Sequence, residues 1–429
     1  ICTELWLAGI ILFYRCSNCS MCYILTCYFT NWAQYCPGAG MYLPTDIDPC
    51  LCDHLIYAFA GMDNNKIKTS KQHDEKLYGE FQTLKNHKLK TLLANGGGNF
   101  AMVSSAASCY TFINSVIKFL QQYQFDGLDL DWEHPDSNSS PPQDKELFMV
   151  LTQELMSACQ EEGKKTNRPR LVLTAAVTAG KGAIDSGHEI SSCLLAIVLD
   201  SIHVMTYDFQ GPLIKNNTLQ DRSSYPSNNG APAEKLLVCF TFRLASSNTA
   251  VGAPTIGPGP SGAFTRQTGF WAYYEVCASA WDNAQQVPYA NNQGIWVRYD
   301  NVKSFQVKIQ WLKQSCFDGA MVWSLSSDNF SDIFCGQGRY PLINTIKSGL
   351  GTRQCISGST GSGFCAGKAN GLYLDPTNKN HFYECNQGQT YVQNCAARPG
   401  YFCLWPKSDM SYVLCHRPPL LSSSMIKNQ

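Results

Sequence analysis

The sequence predicts an α/β fold: a (β/α)8 barrel with an inserted α+β subdomain and a small C-terminal module rich in disulfides. Eight short, mostly apolar runs that are typical of buried strands recur up to residue 325. Segments with helical periodicity separate several of these runs, and strands that alternate with helices predict a parallel sheet. Eight such units predict that the sheet closes into a barrel.

The eight apolar runs are interpreted as the strands of the barrel. In chain order the predicted strands are Tyr23–Thr30, His54–Gly61, Lys90–Gly96, Phe125–Glu133, Arg170–Val177, Ser201–Asp208, Lys235–Phe240 and Gly319–Leu325. Three amphipathic helices are predicted between them, because apolar residues recur every three or four positions along 112–123, 147–158 and 302–312.

Two intervals depart from this alternation. Residues 241–318 are too many for one helix and are rich in Gly, Pro, Tyr and Trp, which predicts the inserted subdomain there. Residues 209–234 show no helical period and contain many turn-forming residues. A barrel needs a helix in that second interval, and the sequence offers no candidate for it.

Composition limits the class of protein. Hydrophobic residues make up 44% of the 429 residues and charged residues 15%, so the chain can bury a large core and is not intrinsically disordered. Lys plus Arg and Asp plus Glu both number 33, and a net charge of zero argues against a nucleic-acid-binding protein. The apolar run Leu5–Tyr14 is too short to span a bilayer and matches the apolar region of a signal peptide. Residues 1–22 are therefore predicted to be a signal-like segment, and no membrane association is expected.

The cysteines indicate the compartment. Eight of the 21 cysteines precede residue 53 and six follow residue 354, which suits an oxidising compartment better than the cytosol. No cysteine pair recurs with histidine at zinc-ligand spacing, so no metal site is predicted. The protein is expected to be secreted and extracellular. Five scattered cysteines are expected as unpaired core residues: Cys109, Cys159, Cys193, Cys239 and Cys316.

The composition changes near residue 350. The barrel domain is predicted to span 23–355, and residues 356–364 form a Gly/Ser linker. Residues 365–415 carry five cysteines and several aromatic residues, and a segment this small must be held together by disulfides. Its aromatic side chains have little core to fill, so some are expected to face outward, as in a carbohydrate-binding module. Residues 416–429 form a tail.

The strongest chemical signal is the acidic run Asp126–Glu133. Side chains alternate along a strand, so Asp129, Asp131 and Glu133 share one face and lie ~7 Å apart along it. Like charges and desolvation raise the pKa of at least one acid in such an array, which is the arrangement that glycosidic cleavage uses. Glu133 ends the strand, where barrel enzymes keep their chemistry. The alternative is a metal-binding or solvated acidic face. The two leucines and Trp132 on the other face of the strand argue against this alternative.

The run DGLDLDWE resembles the signature of glycoside hydrolase family 18, the chitinases. Four further segments, two before this run and two after it, occur in the family's order: CYFTNWAQY, HLIYAFAG, HVMTYD and GAMVWSL. The resemblance covers most of the chain and implies a secreted chitinase that hydrolyses β-1,4-linked N-acetylglucosamine. It also implies a retaining mechanism assisted by the substrate's own acetamido group, and a C-terminal chitin-binding module of the peritrophin type.

The resemblance implies roles for five residues of the motifs. Glu133 matches the general acid that protonates the glycosidic oxygen. Asp131 matches the carboxylate that orients the substrate's acetamido group, and Asp129 matches its buried partner. Tyr207 matches the hydroxyl that holds the acetamido carbonyl. Trp323 matches the indole floor beneath the distorted sugar.

Further residues match the walls of the substrate cleft. The implied substrate-binding residues are Tyr28, Phe59, Gly97, Gly98, Asn99, His134, Met205, Thr206 and Asp208. For Tyr28, Phe59 and Met205 the alternative is ordinary packing in the barrel core, and their position at the ends of predicted strands favours the cleft.

The resemblance also implies a covalent framework and a set of partners. The implied disulfides pair Cys27 with Cys52, Cys50 with Cys355, and Cys277 with Cys335. The implied partners are chitin and chito-oligosaccharides, and the implied reaction uses no metal ion or organic cofactor. The protein is expected to be a monomer.

The sequence departs from the family pattern at several positions of the cleft. Gly98 stands where the family has a Trp, and His134 stands where it has a Tyr. Residues 211–214 lack the family's Ser-Trp-Glu, and most of the sixth helix is missing. A rival hypothesis is therefore a catalytically weakened chitin-binding lectin of the same family. The presence of Glu133 argues against this rival.

Overall fold

The computed structural model describes residues 23–85, 89–96, 103, 105–132, 144–179, 198–206, 235–241, 245–246, 260–276, 280–282, 287–292, 295–315 and 317–351, and six short strands between 354 and 416. The described residues fall into two compact units. One unit spans Tyr23–Leu350, and the other contains the described residues from Gly351 onward.

Within its described residues the first unit contains thirteen strands and five α-helices. The strands are β1 (Ile24–Thr30), β2 (His54–Asp63), β3 (Lys66–Lys68), β4 (Lys90–Gly96), β5 (Gly127–Asp131), β6 (Val172–Thr178), β7 (Ser201–Met205), β8 (Leu236–Thr241), β9 (Ala245–Ser246), β10 (Ala280–Asp282), β11 (Val287–Asn292), β12 (Ile295–Arg298) and β13 (Gly319–Trp323). The helices are α1 (Asp74–Gln82), α2 (Ala106–Gln122), α3 (Asp144–Thr166), α4 (Val302–Gln314) and α5 (Pro341–Leu350).

Eight of these strands form a closed parallel barrel. Around the barrel the order is β1, β13, β8, β7, β6, β5, β4 and β2, and β2 pairs with β1 to close the ring. Every pairing in the ring is parallel. The short strand β3 adds to β2 in the antiparallel direction. The structure thus confirms the predicted parallel barrel with helices.

Both faces of the barrel strands are buried, which explains why the strands appear in the sequence as continuous apolar runs. One face contributes to a small cluster that contains no helix residue and therefore lies inside the barrel: Tyr28, Ile56, Ala58, Leu92, Ala94, Leu237 and Met321. The other face packs in a larger cluster together with the apolar faces of the helices. Several polar side chains of the barrel strands are buried as well, among them Asp129, Thr174 and His203, and these belong to the candidate site.

Helix α2 shows how the outer layer is built. The side chain of Ser105 accepts the backbone N–H of Ser108 and caps the first turn. Phe112, Val116 and Leu120 then follow at helical spacing, and all three are fully buried against the barrel. The apolar residues whose spacing predicts this helix in the sequence are therefore the residues that it buries against the barrel.

The eight barrel strands agree with the predicted strands to within three residues at each end, whereas α2 begins six residues before its predicted segment and α3 ends eight residues after its own. Strand β5 ends at Asp131 rather than Glu133, and β7 ends at Met205 rather than Asp208. The sequence did not predict α1 and α5, because nine and ten residues are too few for a helical period to stand out. Residues 209–234, where no helix could be predicted, lie outside the described residues.

The interval predicted as an insertion contains a second sheet. This sheet is antiparallel and has the strand order β10, β11, β12 and β9. The helix α4 follows it and leads into β13.

The described residues of the second unit form six short strands. They are β14 (Gln354–Cys355), β15 (Gly371–Leu374), β16 (His381–Asn386), β17 (Gln389–Asn394), β18 (Phe402–Leu404) and β19 (Leu414–His416). Strands β14, β17, β16 and β15 form an antiparallel sheet in that order, and β18 pairs with β19. The predicted linker at 356–364 lies outside the described residues, as do residues 417–429 of the predicted tail and the segment 1–22.

One disulfide is described in full. Cys27 of β1 is bonded to Cys52 in the loop that precedes β2, across two neighbouring strands. Cys50 and Cys335 are also disulfide-bonded. Of their implied partners, Cys277 and the side chain of Cys355 lie outside the described part of the chain.

Three described cysteines are free. Cys109 and Cys159 are buried, as expected of unpaired core residues, and Cys36 is half-buried. Cys193 and Cys316 lie outside the described residues, and so does the side chain of Cys239.

Two surveys of the described residues are negative. No helix among them is long and apolar enough to cross a membrane. Their His, Cys, Asp and Glu side chains form no group of three or more that could hold a metal ion.

Candidate active site

Asp129 and Asp131 of the acidic motif lie two residues apart on β5, and both are buried. Asp129 has no exposed surface and Asp131 is 3% exposed. The neighbouring strand β4 makes room for the second of them, because it ends at Gly96. A Cβ atom at that position would lie 2.6 Å from the Cβ of Asp131 and 2.8 Å from its backbone oxygen. The glycine therefore allows the close approach of the two strands at the carboxylate.

Asp129 is held by side chains from three other strands. The hydroxyl of Tyr28, on β1, donates to Oδ2 at 2.5 Å, and the hydroxyl of Thr174, on β6, donates to Oδ1 at 2.5 Å. Nδ1 of His203, on β7, lies 3.2 Å from the same Oδ1. Hydrogen bonds to a carboxylate are stronger than those between neutral groups. Both oxygens of Asp129 are thus engaged within the barrel.

The same network assigns the proton of His203. Nδ1 of His203 also lies 3.0 Å from the hydroxyl oxygen of Tyr28. The single proton of that hydroxyl is directed to Asp129, so Nδ1 must carry the hydrogen that it shares with these two oxygens. The hydroxyl of Ser201 lies 3.4 Å from Nε2.

A second histidine begins one of the barrel strands. His54 is the first residue of β2, and its Nδ1 is buried without a partner in the described part of the chain. Burial, followed by the charge of His203, lowers the pKa of His54 to about 4. His54 is consequently neutral near pH 7 and brings no positive charge under the carboxylates.

Aromatic side chains lie at the carboxyl ends of β1, β2 and β13. Phe59 stacks on Trp323 with ring centroids 5.7 Å apart, and Trp32 stacks on Phe59 at 6.0 Å. Tyr28 contacts Trp323 at 5.2 Å and thereby links this group to the carboxylate network. Trp32 is 37% exposed. The arrangement offers flat apolar faces of the kind on which sugar rings stack.

The structure brings together five of the residues predicted from the sequence: Tyr28, Phe59, Asp129, Asp131 and Trp323. Two others, Met205 and Thr206, are described at the end of β7, next to His203 in the chain. The remaining predicted site residues lie outside the described residues: Gly97, Gly98, Asn99, Glu133, His134, Tyr207 and Asp208.

The sequence prediction missed three residues that the structure adds to the site. Thr174 and His203 lie within predicted strands, and nothing in their local pattern distinguishes them from core residues. Trp32 follows β1 directly in the segment CYFTNWAQY. An exposed Trp just after a predicted barrel strand is a signal that could have identified it.

A recess of about 100 Å³ opens beside Trp323. It is lined by aromatic side chains, among them Trp32, Phe270 and Tyr274, and by several hydroxyl groups. Cys36 also lines it, and burial, followed by the charge of Glu275, raises the pKa of its thiol. The site therefore consists of a buried acidic strand, an aromatic surface and an adjoining recess.

Comparison with known proteins places these features in one family. The family model described as glycosyl hydrolases family 18 matches residues 24–328. Chitotriosidase-1 of Mus musculus is 40% identical over an alignment of 429 positions, gaps included. The alignment covers 86% of this chain and 92% of the relative. Chitinase-3-like protein 2 of Homo sapiens is 41% identical over 370 residues, covering 77% and 93%.

Solved structures of chitinases and chitinase-like proteins are also similar to this chain. Human YKL-39, described as a pseudo-chitinase with retained chitooligosaccharide binding properties, superposes with a TM-score of 0.72 at 38% identity and covers 77% of this chain and 100% of its own. The Group IV chitinase of Ostrinia furnacalis in complex with allosamidin superposes with a TM-score of 0.69 at 30% identity, covering 77% and 99%. Both an enzyme and a protein described as a pseudo-chitinase are thus similar to this chain.

Proposed function

The chain belongs to glycosyl hydrolases family 18, and on that premise we propose that it is a secreted chitinase that hydrolyses β-1,4-linked N-acetylglucosamine. The observation that carries the proposal is the buried pair Asp129 and Asp131 beneath the aromatic surface of Phe59 and Trp323. Glu133, two residues beyond Asp131, is the proposed general acid.

The proposed mechanism proceeds in two displacements. Glu133 donates its proton to the glycosidic oxygen as the bond from that oxygen to the anomeric carbon breaks. The carbonyl oxygen of the substrate's acetamido group forms the new bond to the anomeric carbon, which gives a cyclic oxazolinium ion. A water oxygen then attacks the anomeric carbon while Glu133 takes the water's proton, and the ring reopens. Two displacements retain the β configuration.

The first displacement needs a precisely held acetamido group, because its carbonyl oxygen is the nucleophile, and two residues are proposed to hold it. Asp131 accepts the acetamido N–H, and the Tyr207 hydroxyl donates to the carbonyl oxygen. An intramolecular nucleophile fixed in this way has a high effective molarity. Asp129 supports the arrangement, because side chains of three other strands contact its two oxygens, and Asp131 is the carboxylate of the pair that is proposed to contact the sugar.

The aromatic residues are proposed to bind the sugar that is cleaved. Trp323 provides the floor, and Phe59 and Tyr28, which contact its ring, keep that floor in position. Met205, Thr206, Asp208, His134 and residues 97–99 are proposed to complete the walls. The reaction as written uses only side chains, water and the substrate, so it calls for no metal ion or organic cofactor.

The proposal extends to localisation and to the second unit. The disulfide between Cys27 and Cys52 fits an oxidising compartment, so we place the protein outside the cell. Residues 365–415 are proposed to form a chitin-binding module on a flexible linker. The described strands of this segment are short, as expected of a small domain that relies on disulfides.

Hydrolysis of defined tetramers tests the mechanism. We expect cleavage of chitotetraose with an initial product in the β configuration, observed by proton NMR. Cellotetraose, which has the same linkage and no acetamido group, should remain intact, and a thiazoline analogue of the cyclic intermediate should inhibit competitively. Cleavage of cellotetraose, or an initial α product, would contradict the substrate-assisted mechanism.

The alternative is a chitin-binding lectin with weakened turnover. It is favoured by the similarity to the pseudo-chitinase YKL-39 and by Gly98, which stands where the family has a Trp. A chromogenic chitobioside separates the two functions. Release of the chromophore by the wild type, and its loss in Glu133→Gln, supports the enzyme. Binding of chitotetraose without release by the wild type supports the lectin.

A further inference from the structure

Strand β2 departs from regular pairing at Phe59, one of the rings of the aromatic surface. On one side its register with β1 ends at the pair Thr30 and Ala58, and on the other its register with β4 shifts between Tyr57 and Ala60. Irregularities of this kind are common next to active sites, where they change the direction of a side chain. The direction of the Phe59 ring therefore depends on what holds the backbone at this point.

Two side chains hold the carbonyl oxygen of Phe59. The hydroxyl of Ser70, in the loop that follows β3, donates to it at 2.5 Å. Nδ2 of Asn31 lies 3.3 Å from the same oxygen and donates to Ser70 Oγ at 2.8 Å. Asn31 directly precedes Trp32, whose ring stacks on that of Phe59. Asn31 and Ser70 thus connect the backbone at Phe59 with the backbone beside Trp32.

A buried carboxylate fixes these two side chains. Asp74 is the first residue of α1 and has no exposed surface. Its Oδ1 accepts Nδ2 of Asn31 at 2.9 Å and the hydroxyl of Tyr57 at 2.7 Å. Its Oδ2 accepts the backbone N–H groups of Ser70 and Lys71 at 2.8 and 2.7 Å. Because hydrogen bonds to an ionised acceptor are strong, Asp74 fixes the positions of Asn31 and Ser70 together.

Capping of α1 does not account for the contacts of Asp74. A capping side chain accepts backbone N–H groups from the first turn of its helix. Asp74 instead accepts from Ser70 and Lys71, which precede the helix, and from the side chains of Asn31 and Tyr57. The carboxylate therefore ties the loop before α1 to the carboxyl ends of β1 and β2, where the aromatic surface lies.

We propose that Asp74 is a positioning residue for substrate binding, which acts through Ser70 and Asn31 to hold Phe59 and Trp32 in their stacked arrangement before the sugar binds. The inference rests on the proposed function, which assigns the aromatic surface to the sugar. Asp74 is fully buried and acts only through its neighbours. Ordering a side chain on binding weakens affinity by roughly 2- to 10-fold, and here the rings are already ordered when the protein has folded.

Ser70→Ala tests the proposal, because it removes the hydroxyl that links Asp74 to the carbonyl oxygen of Phe59. Ser70 is exposed, so the substitution leaves the core intact. Full-length protein with Glu133→Gln is the parent, and tryptophan fluorescence reports the Kd for chitotetraose. We expect the Kd to rise roughly 3- to 10-fold, the worth of one hydrogen bond. Ser70→Thr keeps the hydroxyl and should retain the Kd of the parent.

Two indoles provide a second reading that needs no ligand. The rings of Trp32 and Trp323 are 5.9 Å apart, so their electronic transitions interact and depend on the mutual orientation of the rings. We expect Ser70→Ala to change the tryptophan bands of the near-UV circular dichroism spectrum, and Ser70→Thr to preserve them. Unchanged bands in Ser70→Ala would show that the rings keep their arrangement and would overturn the proposal.

Ser115→Ala is the matched control. The hydroxyl of Ser115 donates to the backbone carbonyl of Phe112 at 2.7 Å and accepts the backbone N–H of Ile67 at 3.1 Å. It thus makes the same two kinds of hydrogen bond as the hydroxyl of Ser70, with partners that do not belong to the aromatic surface. We expect it to lower the melting temperature as Ser70→Ala does, without changing the Kd or the tryptophan bands. An equal rise of the Kd in both variants would reduce the effect to general stability and overturn the proposal.

Asp74→Asn tests the carboxylate directly. The amide keeps the size of the side chain, but in either orientation its NH2 group faces two donors. We expect a larger rise of the Kd than in Ser70→Ala and altered tryptophan bands, both measured below the onset of melting. Folded Asp74→Asn that binds with the Kd of the parent would overturn the assignment. The result for Ser70→Ala decides the question even where Asp74→Asn does not fold.

The parent protein separates the inference from the function. Binding of chitotetraose by the parent, with the same Kd in Ser70→Ala, would overturn the inference and leave the chitinase proposal standing. Absence of binding by the parent would overturn the proposed function and the inference with it.

Discussion

Asp129 illustrates how individual side chains make the candidate site possible. Burying a carboxylate costs several kcal/mol, and a hydrogen bond to a charged group contributes roughly 1.5–3 kcal/mol. The contacts from Tyr28, Thr174 and His203 together offset that cost. If one of these donors is removed, part of the cost of burying the Asp129 carboxylate is no longer offset. Each donor is therefore expected to contribute to the stability of the fold as well as to the position of Asp131.

The first substitution tests the proposed general acid. Glu133→Gln keeps the shape of the side chain and cannot donate a proton to the leaving oxygen. We expect kcat for chitotetraose to fall ~10²–10⁴-fold, the usual contribution of general acid catalysis, with the Kd little changed. Steady-state kinetics and binding fluorescence check both quantities. Undiminished turnover would remove Glu133 from the mechanism.

The second substitution tests the support of Asp129. Thr174→Val preserves the size of the side chain and removes one donor to the buried carboxylate. We expect a loss of about 1–3 kcal/mol in the free energy of unfolding and a lower kcat. Thr111→Val is the control, because that hydroxyl bonds a backbone carbonyl on the exposed side of α2. Equal effects of the two substitutions in denaturant titrations would contradict a special role for Thr174.

Between neighbouring elements, glycines and caps decide how closely strands and helices approach. Gly96 lets β4 end against Asp131, with no room for a Cβ atom. At the other side of the barrel Asp328, fully buried after β13, accepts the backbone N–H groups of Leu342 and Ile343 and caps α5. Gly96 allows β4 to approach Asp131, and Asp328 caps the first turn of α5. A substitution at either position should therefore have a measurable effect.

Gly96→Ala should displace Asp131. The added methyl group would lie under 3 Å from the Cβ and the backbone oxygen of Asp131, so the strands must separate. We expect loss of most of the activity and a lower melting temperature. Gly79→Ala in α1 is the matched control, since no atom lies within 4 Å of its Cβ and alanine favours a helix by up to ~1 kcal/mol. Wild-type activity in Gly96→Ala would show that the spacing of β4 and β5 is unimportant.

Asp328 should make stability depend on pH. Burial raises its pKa to about 7, against the opposing effect of three backbone N–H groups. Between an unfolded pKa of about 3.9 and pH 7 the folded state holds a proton that the unfolded state has released. The stability contributed by that proton is complete below pH 4 and is lost as the pH rises toward 7. Asp328→Asn does not titrate, so the melting temperature of the wild type should fall relative to that of this variant as the pH rises from 4 to 7. A difference in melting temperature that stays constant from pH 4 to 7 would contradict the assignment.

The whole molecule combines a closed barrel with a second unit of short strands. The barrel closes only when β1 pairs with both β2 and β13, which lie far apart in the chain. Its stability is thus cooperative, because no strand can leave without opening the ring. The second unit has its own sheet and begins after Leu350. The two units can therefore be tested separately for catalysis and for attachment to solid substrate.

Removal of residues 356–429 should separate these two properties. The shortened chain retains the barrel and Cys355, and we expect it to cleave soluble chitotetraose at the wild-type rate. Binding to insoluble chitin should weaken, because a linked module acts by raising the effective concentration at the surface. Sedimentation with chitin beads measures the difference. Equal retention of both proteins would show that the second unit does not bind chitin.

The sequence by itself determined the barrel strands and the acidic motif, because burial on both faces and alternation along one strand are local patterns. It also predicted a role in the site for Tyr28, Phe59 and Trp323, through segments that resemble a known family, and the structure brings their rings into contact. Other contacts could not be predicted this way. Thr174 lies 45 residues from Asp129 in the chain, and Ser326 lies 296 residues from Thr30. No local period encodes such pairs. They meet only because closure of the ring brings the inward side chains of distant strands into one space, so the support of Asp129 and the hydroxyl-lined recess were decided by the tertiary structure.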